Sequence, residues 1–182
     1  MTMRRALSLF AFSIALLSVP TFGQSTDVGG AGAPGCGASA VKFSVKTEKG
    51  RHPAQPEAGK ALVYFIENDS NFVSFPKPTT RAGLDGKWVG ATHGNSYLYF
   101  SVDPGVHHLC ASWQTAVILG KGHMTAAAHF TADAGGVYYF EAKNTFINVE
   151  NQAIADTTLT PLDSDQGQIL VDQFALSTSH LK

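Results

Sequence analysis

Two cysteines, seven histidines and a scatter of carboxylates are the residues of this 182-residue chain that could do chemistry. Cys36 and Cys110 are the simplest case. An even cysteine count in an oxidising compartment points to a bridge, and closing a loop of ~75 residues stabilises by about 4 kcal/mol in the chain-entropy model. As a free thiolate, Cys110 would share a strand face with His108 and offer half of a zinc or copper site. A disulfide removes that ligand. His107 and His108 are the weak metal candidates, because adjacent strand residues point to opposite faces and cannot readily chelate one ion together. His123 and His129 would lie ~20 Å apart on a straight strand. His52, His93 and His180 fall in stretches that read as loops. No HxH, HExxH or paired CxxC spacing occurs, so neither a metal nor another cofactor is expected.

Catalytic motifs are equally sparse. The chain has no GxSxG elbow, no Walker loop and no GxGxxG after a strand. Asp163 and Asp165 are close in sequence, but capping a helix explains them, since both favour its positive start. Glu141 sits between Phe140 and Ala142 and reads as outward-facing, without a partner. The expectation is a protein that is not an enzyme. A binding role would rest on aromatics. Tyr97 and Tyr99 share one face of a strand while Leu98, Phe100 and Val102 share the other, and Tyr139 repeats the two-sided pattern. An exposed stripe of Tyr97, Tyr99 and Tyr139 would suit a protein or glycan partner, because a tyrosine ring is apolar and its tip polar. The alternative places these rings beneath a helix or loop.

The elements that must position these residues read mostly as strands. Val41–Thr47 alternates apolar and polar, a half-buried strand. Lys60–Glu67 is a continuous apolar run that fits a central strand buried on both faces. Asn68–Thr80 reads as a loop. Asp85-Gly86 is a hairpin signal before a short strand at Trp88–Val89. Tyr97–Val102 and Val106–Trp113 flank Asp103-Pro104-Gly105, which reads as a turn between a strand and its returning partner. Thr125–Thr131 and Gly136–Lys143 form a similar pair, and Phe146–Val149 and Thr157–Leu162 read as short strands. Asp163-Ser164-Asp165 supplies N-cap chemistry for one short C-terminal helix over Gln168–Phe174. Ile169, Leu170 and Phe174 share a face there, and Gly167 argues against a longer helix. The fold class is mainly β: an antiparallel sandwich, immunoglobulin- or transthyretin-like, with that one helix.

Export is written at the start. Arg4 and Arg5 precede an uncharged apolar run from Ala6 to Val19, and Pro20 and Thr21-Phe22-Gly23 supply a break and small residues for cleavage. Residues 1–23 are therefore read as a signal peptide, 24–38 as a flexible Gly/Ala-rich leader, and 39–182 as a single sandwich domain. The signal holds two of the 13 basic residues and none of the 14 acidic ones, so its removal makes the weakly acidic chain more so. No basic stripe for nucleic acid, no amphipathic basic helix for lipid and no later membrane span is present. The destination is the periplasm, the cell surface or the medium.

Three segments in series resemble a known family: GKALVYF at 59–65, DPGVHHL at 103–109 and AGGVYYFEA at 134–142, followed by DSDQGQILV at 163–171. In this order and spacing they are similar to the bacterial family called domain of unknown function 2846. The resemblance implies an exported or envelope-attached β-sandwich and no reaction. Many members look like lipoproteins, but Cys36 lies too far beyond the apolar run to carry a lipid. The function expected is a non-catalytic binding or structural module of the bacterial envelope. The alternative is a periplasmic metal-binding protein using histidines. The ligand, the partner and the oligomeric state are left open.

Overall fold

The structure is a computed structural model that describes residues 33–50, 52, 54–73, 76–114, 121–149 and 152–182. The expected signal peptide at 1–23 and the first part of the leader lie outside the described residues. The described residues form eleven strands and one helix, in this order. They are β1 (Phe43–Glu48), β2 (Ala61–Phe72), β3 (Thr79–Leu84), β4 (Lys87–His93), β5 (Ser96–Val102) and β6 (Gly105–Trp113). Then come β7 (Lys121–His123), β8 (Thr125–Ala132), β9 (Val137–Val149), β10 (Gln152–Leu162), α1 (Ser164–Gln173) and β11 (Ala175–Leu181).

The strands form two sheets, ordered β1-β11-β5-β2-β9-β10-β7 and β4-β3-β6-β8. We call them the large and the small sheet. The mainly β sandwich is as expected, with one refinement. The pairings β2/β9, β5/β11 and β7/β10 are parallel, so the large sheet is mixed rather than purely antiparallel.

β2 is the central strand the apolar run implies. Ala61 to Ile66 are all buried, and β5 and β9 flank it. Its odd-numbered residues, Ala61, Val63 and Phe65, face the small sheet. There they meet Leu98, Val102, Phe140, Ala142 and Leu159 of the large sheet and Ala82, Leu109, Ala111 and Ala132 of the small one. Its even-numbered residues, Leu62, Tyr64 and Ile66, face the other way and pack with Tyr97, Tyr139, Leu170 and Val171. Helix α1 thus forms a third layer over the large sheet. Period-two alternation in the strands is what allows one sheet to serve two cores.

Several expectations are corrected. Asn68–Phe72 is not loop but the end of β2, carried past a register irregularity between Asn68 and Asn71. Its Asn-Asp-Ser composition disfavours a strand; buried partners for its polar groups override that preference. β3, β7 and β11 were not foreseen. Asp85-Gly86 does close a hairpin between β3 and β4, with φ of 48° and 83° as a type I′ turn needs. The Asp103-Pro104 connection does not. β5 lies between β11 and β2 in the large sheet, and β6 between β3 and β8 in the small one. The chain therefore arches from one sheet to the other, and Leu98 and Leu109 enter the same core from the two sheets. The same holds for β8 and β9. An arch and a hairpin share local turn chemistry, and only the occupancy of both edges of each strand separates them.

The helix starts at Ser164, earlier than expected. Asp163 caps it, accepting from the backbone N–H of Gln166 at 2.9 Å. The buried face is Gly167, Leu170 and Val171 rather than Ile169, Leu170 and Phe174; Ile169 is exposed. Gly167 is what lets the helix sit so low. A Cβ there would come within 2.2 Å of Tyr139 Cγ. Gly167→Ala is therefore expected to destabilise by about 1–3 kcal/mol, the usual cost of overpacking, despite alanine's better helix propensity. Urea unfolding checks this, and a neutral or stabilising result would mean that α1 does not press on Tyr139.

Candidate functional site

The outer face of the small sheet carries a strap. Cys36 and Cys110 form the expected disulfide, which joins the start of the described chain to the middle of β6. Residues 33–38 are thus not a free leader, a correction to the sequence reading. Gly35 and Gly83 allow the close approach. A Cβ on Gly83 would meet the Gly35 carbonyl oxygen at 2.6 Å, and one on Gly35 would meet the His108 carbonyl oxygen at the same distance. The strap is then hydrogen-bonded along its length. The Trp88 indole N–H donates to the Ala38 carbonyl at 2.8 Å. Arg81, buried on β3, donates through Nη1 to the carbonyls of Ser39 and Val41 at 3.0 and 2.9 Å. Its guanidinium lies 4.3 Å from the Trp88 ring centre, a cation–π contact.

Between strap and sheet is a cleft of about 360 Å³, within the size range of small-ligand pockets. Its floor includes Arg81, Trp88, Ser112 and Thr125, and the strap supplies Cys36, Gly37 and Ser39. Arg81 and Ser112 are directly opposed in the β3/β6 ladder, and Ser112 and Thr125 in the β6/β8 ladder. Three strands thus set the floor at one rung. The Nε of Arg81 is buried with no acceptor among the described residues.

A second polar centre lies inside the sandwich. β2 continues its inward parity beyond Phe65 with Glu67 and Asp69, which are 0% and 2% exposed. The Asn144 side-chain amide on β9 stands between them. Its Nδ2 is within 2.9 Å of Glu67 Oε1, 2.8 Å of Asp69 Oδ1 and 2.9 Å of Thr80 Oγ1, three acceptors for two hydrogens. Its Oδ1 accepts from Trp113 Nε1 at 2.7 Å and from Thr157 Oγ1 at 3.0 Å. Thr80 Oγ1 donates to Glu67 Oε1 at 2.7 Å. The remaining oxygens, Glu67 Oε2 and Asp69 Oδ2, have no hydrogen-bond partner among the described residues. Burial raises the pKa of both carboxyls. Glu67 is also raised by the Asp69 charge and goes well above the ordinary range. Asp69 is lifted to about 6, although the Asn144 bond and the Lys77 and His93 charges act the other way. Groups so enclosed cannot reach a substrate; they can hold protons and fix strands.

The residues singled out from sequence fall elsewhere. Tyr97 is fully buried and Tyr139 nearly so; only Tyr99, 39% exposed, reaches solvent. Of the two alternatives for these rings the covered one holds for Tyr97 and Tyr139, which pack with Leu170 and Val171 of α1. Tyr139 instead stacks on Tyr64 with ring centres 5.0 Å apart. His107 and His108 point to opposite sides, as strand geometry requires. His107 is engaged at both ring nitrogens, by Asp85 Oδ2 and by the Asp103 carbonyl, each at 2.7 Å. Burial pulls its pKa down, but the Asp85 and Asp103 hydrogen bonds and charges outweigh it and the net direction is up. Among the described residues no group of three or more His, Cys, Asp or Glu side chains is placed to hold a metal. Glu141, expected to be alone, accepts from Asn68 Nδ2 at 2.7 Å. Arg81, Glu67, Asp69 and Asn144 were missed. Strand parity was the available signal for the last three, since each continues the inward series of its strand.

The buried pair sets a pH dependence. An unfolded aspartate ionises near 3.8, and folded Asp69 near 6. Between those values the unfolded chain has lost a proton that the native one keeps, so stability falls as pH rises through this window. Glu67 extends the fall to higher pH. Denaturant unfolding of the wild type from pH 4 to 7 should show this slope, and Asp69→Asn should flatten its lower part. Asn144→Ala should cost at least about 3 kcal/mol at neutral pH, because it strands two buried carboxyls and an indole N–H. A pH-independent wild type would refute the assignment. As for relatives, no family model, no curated protein and no solved structure matches this chain.

Proposed function

We propose that the chain is an exported, non-catalytic binding module of the bacterial envelope, and that its binding concavity is the cleft under the strap. The carrying observation is the construction of that cleft: a disulfide, a buried arginine and an indole fix its walls, while Arg81 retains an uncommitted Nε–H beside Trp88. A preformed concavity with one or two placed polar groups is what a small-ligand site needs. Its chemistry fits a ligand or chain end that offers a hydrogen-bond acceptor to Arg81 and an apolar face to the indole, such as a carboxylate, an amide or a sugar. Export is supported by the disulfide and by the signal-like start. No helix of the described residues is long and apolar enough to cross a membrane. The similarity of residues 59–171 to the family named above supports the same compartment.

The experiment is a ¹H–¹⁵N NMR screen of small carboxylates, amides and oligosaccharides against the oxidised protein. Perturbations should gather on Arg81, Trp88, Ser112 and Thr125, and Thr125→Trp, which fills the cleft, should abolish them. Perturbations centred elsewhere, or none at millimolar ligand, would leave the cleft a purely structural seam. The strap itself is testable separately. Replacing both cysteines by serine should lower unfolding stability by about 4 kcal/mol, from the entropy of the released 74-residue loop, and change Trp88 fluorescence. Retention of both properties would show that the strap is held without its bridge.

A further inference from the structure

We propose that His108 and His129 form a surface chelation site for a divalent late transition ion such as Cu²⁺ or Zn²⁺. The inference goes beyond the cleft and does not depend on it. Sequence alone places His108 on one strand face with Cys110, which the disulfide takes out of play, and opposite to its neighbour His107. The fold pairs His108 with His129, 21 positions on. The two are directly opposed in the β6/β8 ladder, whose eight successive pairs run from Gly105↔Ala132 to Ser112↔Thr125 without a register shift. Directly opposed strand residues have Cβ atoms about 4.5–5.5 Å apart on the same face. Both side chains are exposed, and their ring centres are 6.4 Å apart. An ion bound by two imidazole nitrogens at about 2.0–2.1 Å requires little more than a rotation of either ring from this arrangement.

The backbone under His108 is unusually well held. Its N–H donates to Asp85 Oδ1 at 2.8 Å, and its carbonyl accepts from the Asp85 N–H at 2.9 Å. Gly35 presses on that carbonyl from the strap, and the disulfide at Cys110 lies on the next rung of the same face. Little ordering entropy is then left to lose on binding, which is what preorganisation contributes. Imidazole donors select late transition ions over Ca²⁺ and Mg²⁺, which take oxygen ligands. Two protein ligands leave the other coordination positions to solvent or to a donor from another molecule.

The test is titration of the oxidised full-length mature chain with CuCl₂ and, separately, ZnCl₂, followed by calorimetry and, for Zn²⁺, by imidazole NMR signals. One saturable equivalent is expected, tighter for Cu²⁺ than for Zn²⁺, with shifts at the His108 and His129 rings. His108→Gln and His129→Gln should each weaken binding by about tenfold or more, with thermal midpoints near that of the wild type because both positions are exposed. His180→Gln should change nothing. Absence of saturable binding, or binding that survives either substitution at the pair, would overturn the proposal.

Discussion

The Asn144 amide is the point on which the two sheets are pinned together. Through it Glu67, Asp69 and Thr157 of the large sheet are joined to Thr80 and Trp113 of the small one. All of these groups are out of reach of water, so each lost bond would cost the full desolvation of its partner rather than the modest net value of an exposed one. An apolar core tolerates sliding and repacking. A hydrogen-bonded centre with more acceptors than donors does not, because one register alone satisfies most of it. The end of β2, polar and irregular by composition, is a strand because this centre demands it.

The strap on the opposite face of the small sheet solves a different problem. That face would otherwise be an exposed sheet surface with a buried arginine beneath nothing. Arg81 Nη1 donates to carbonyls of the strap, and the strap is kept near by the disulfide and by glycines on both sides of the contact. Covalent bond, cation–π contact and hydrogen bonds act on the same few residues, so removing one loads the others. The cleft lies where this segment crosses the sheet.

What was legible in the sequence followed local periodicity. The apolar run of β2 fixed the central strand, Asp85-Gly86 fixed a hairpin, and Asp163 fixed a helix start. The cysteine count gave the bridge. What was not legible depended on which strands share a sheet. Pro104 and Gly105 mark a reversal, but whether the two flanking strands then pair or enter different sheets is decided by β2, β3, β8 and β11, all distant in sequence. The tyrosines illustrate the same limit: their parity was readable, yet whether their face met solvent or α1 was not. For the site, Glu67 ended the apolar run and Asp69 fell in the stretch read as loop, because nothing local announces that Asn144 will lie between them.

The first and last strands have one further consequence. Among the described residues, Phe43–Glu48 pairs only with Ala175–Leu181, in register from Phe43↔Leu181 to Glu48↔Leu176. During synthesis β1 therefore lacks its ladder partner until β11 has been made. Such remote pairings form slowly, since loop closure must come first. The β1 edge of the large sheet can therefore form only once β11 has been made.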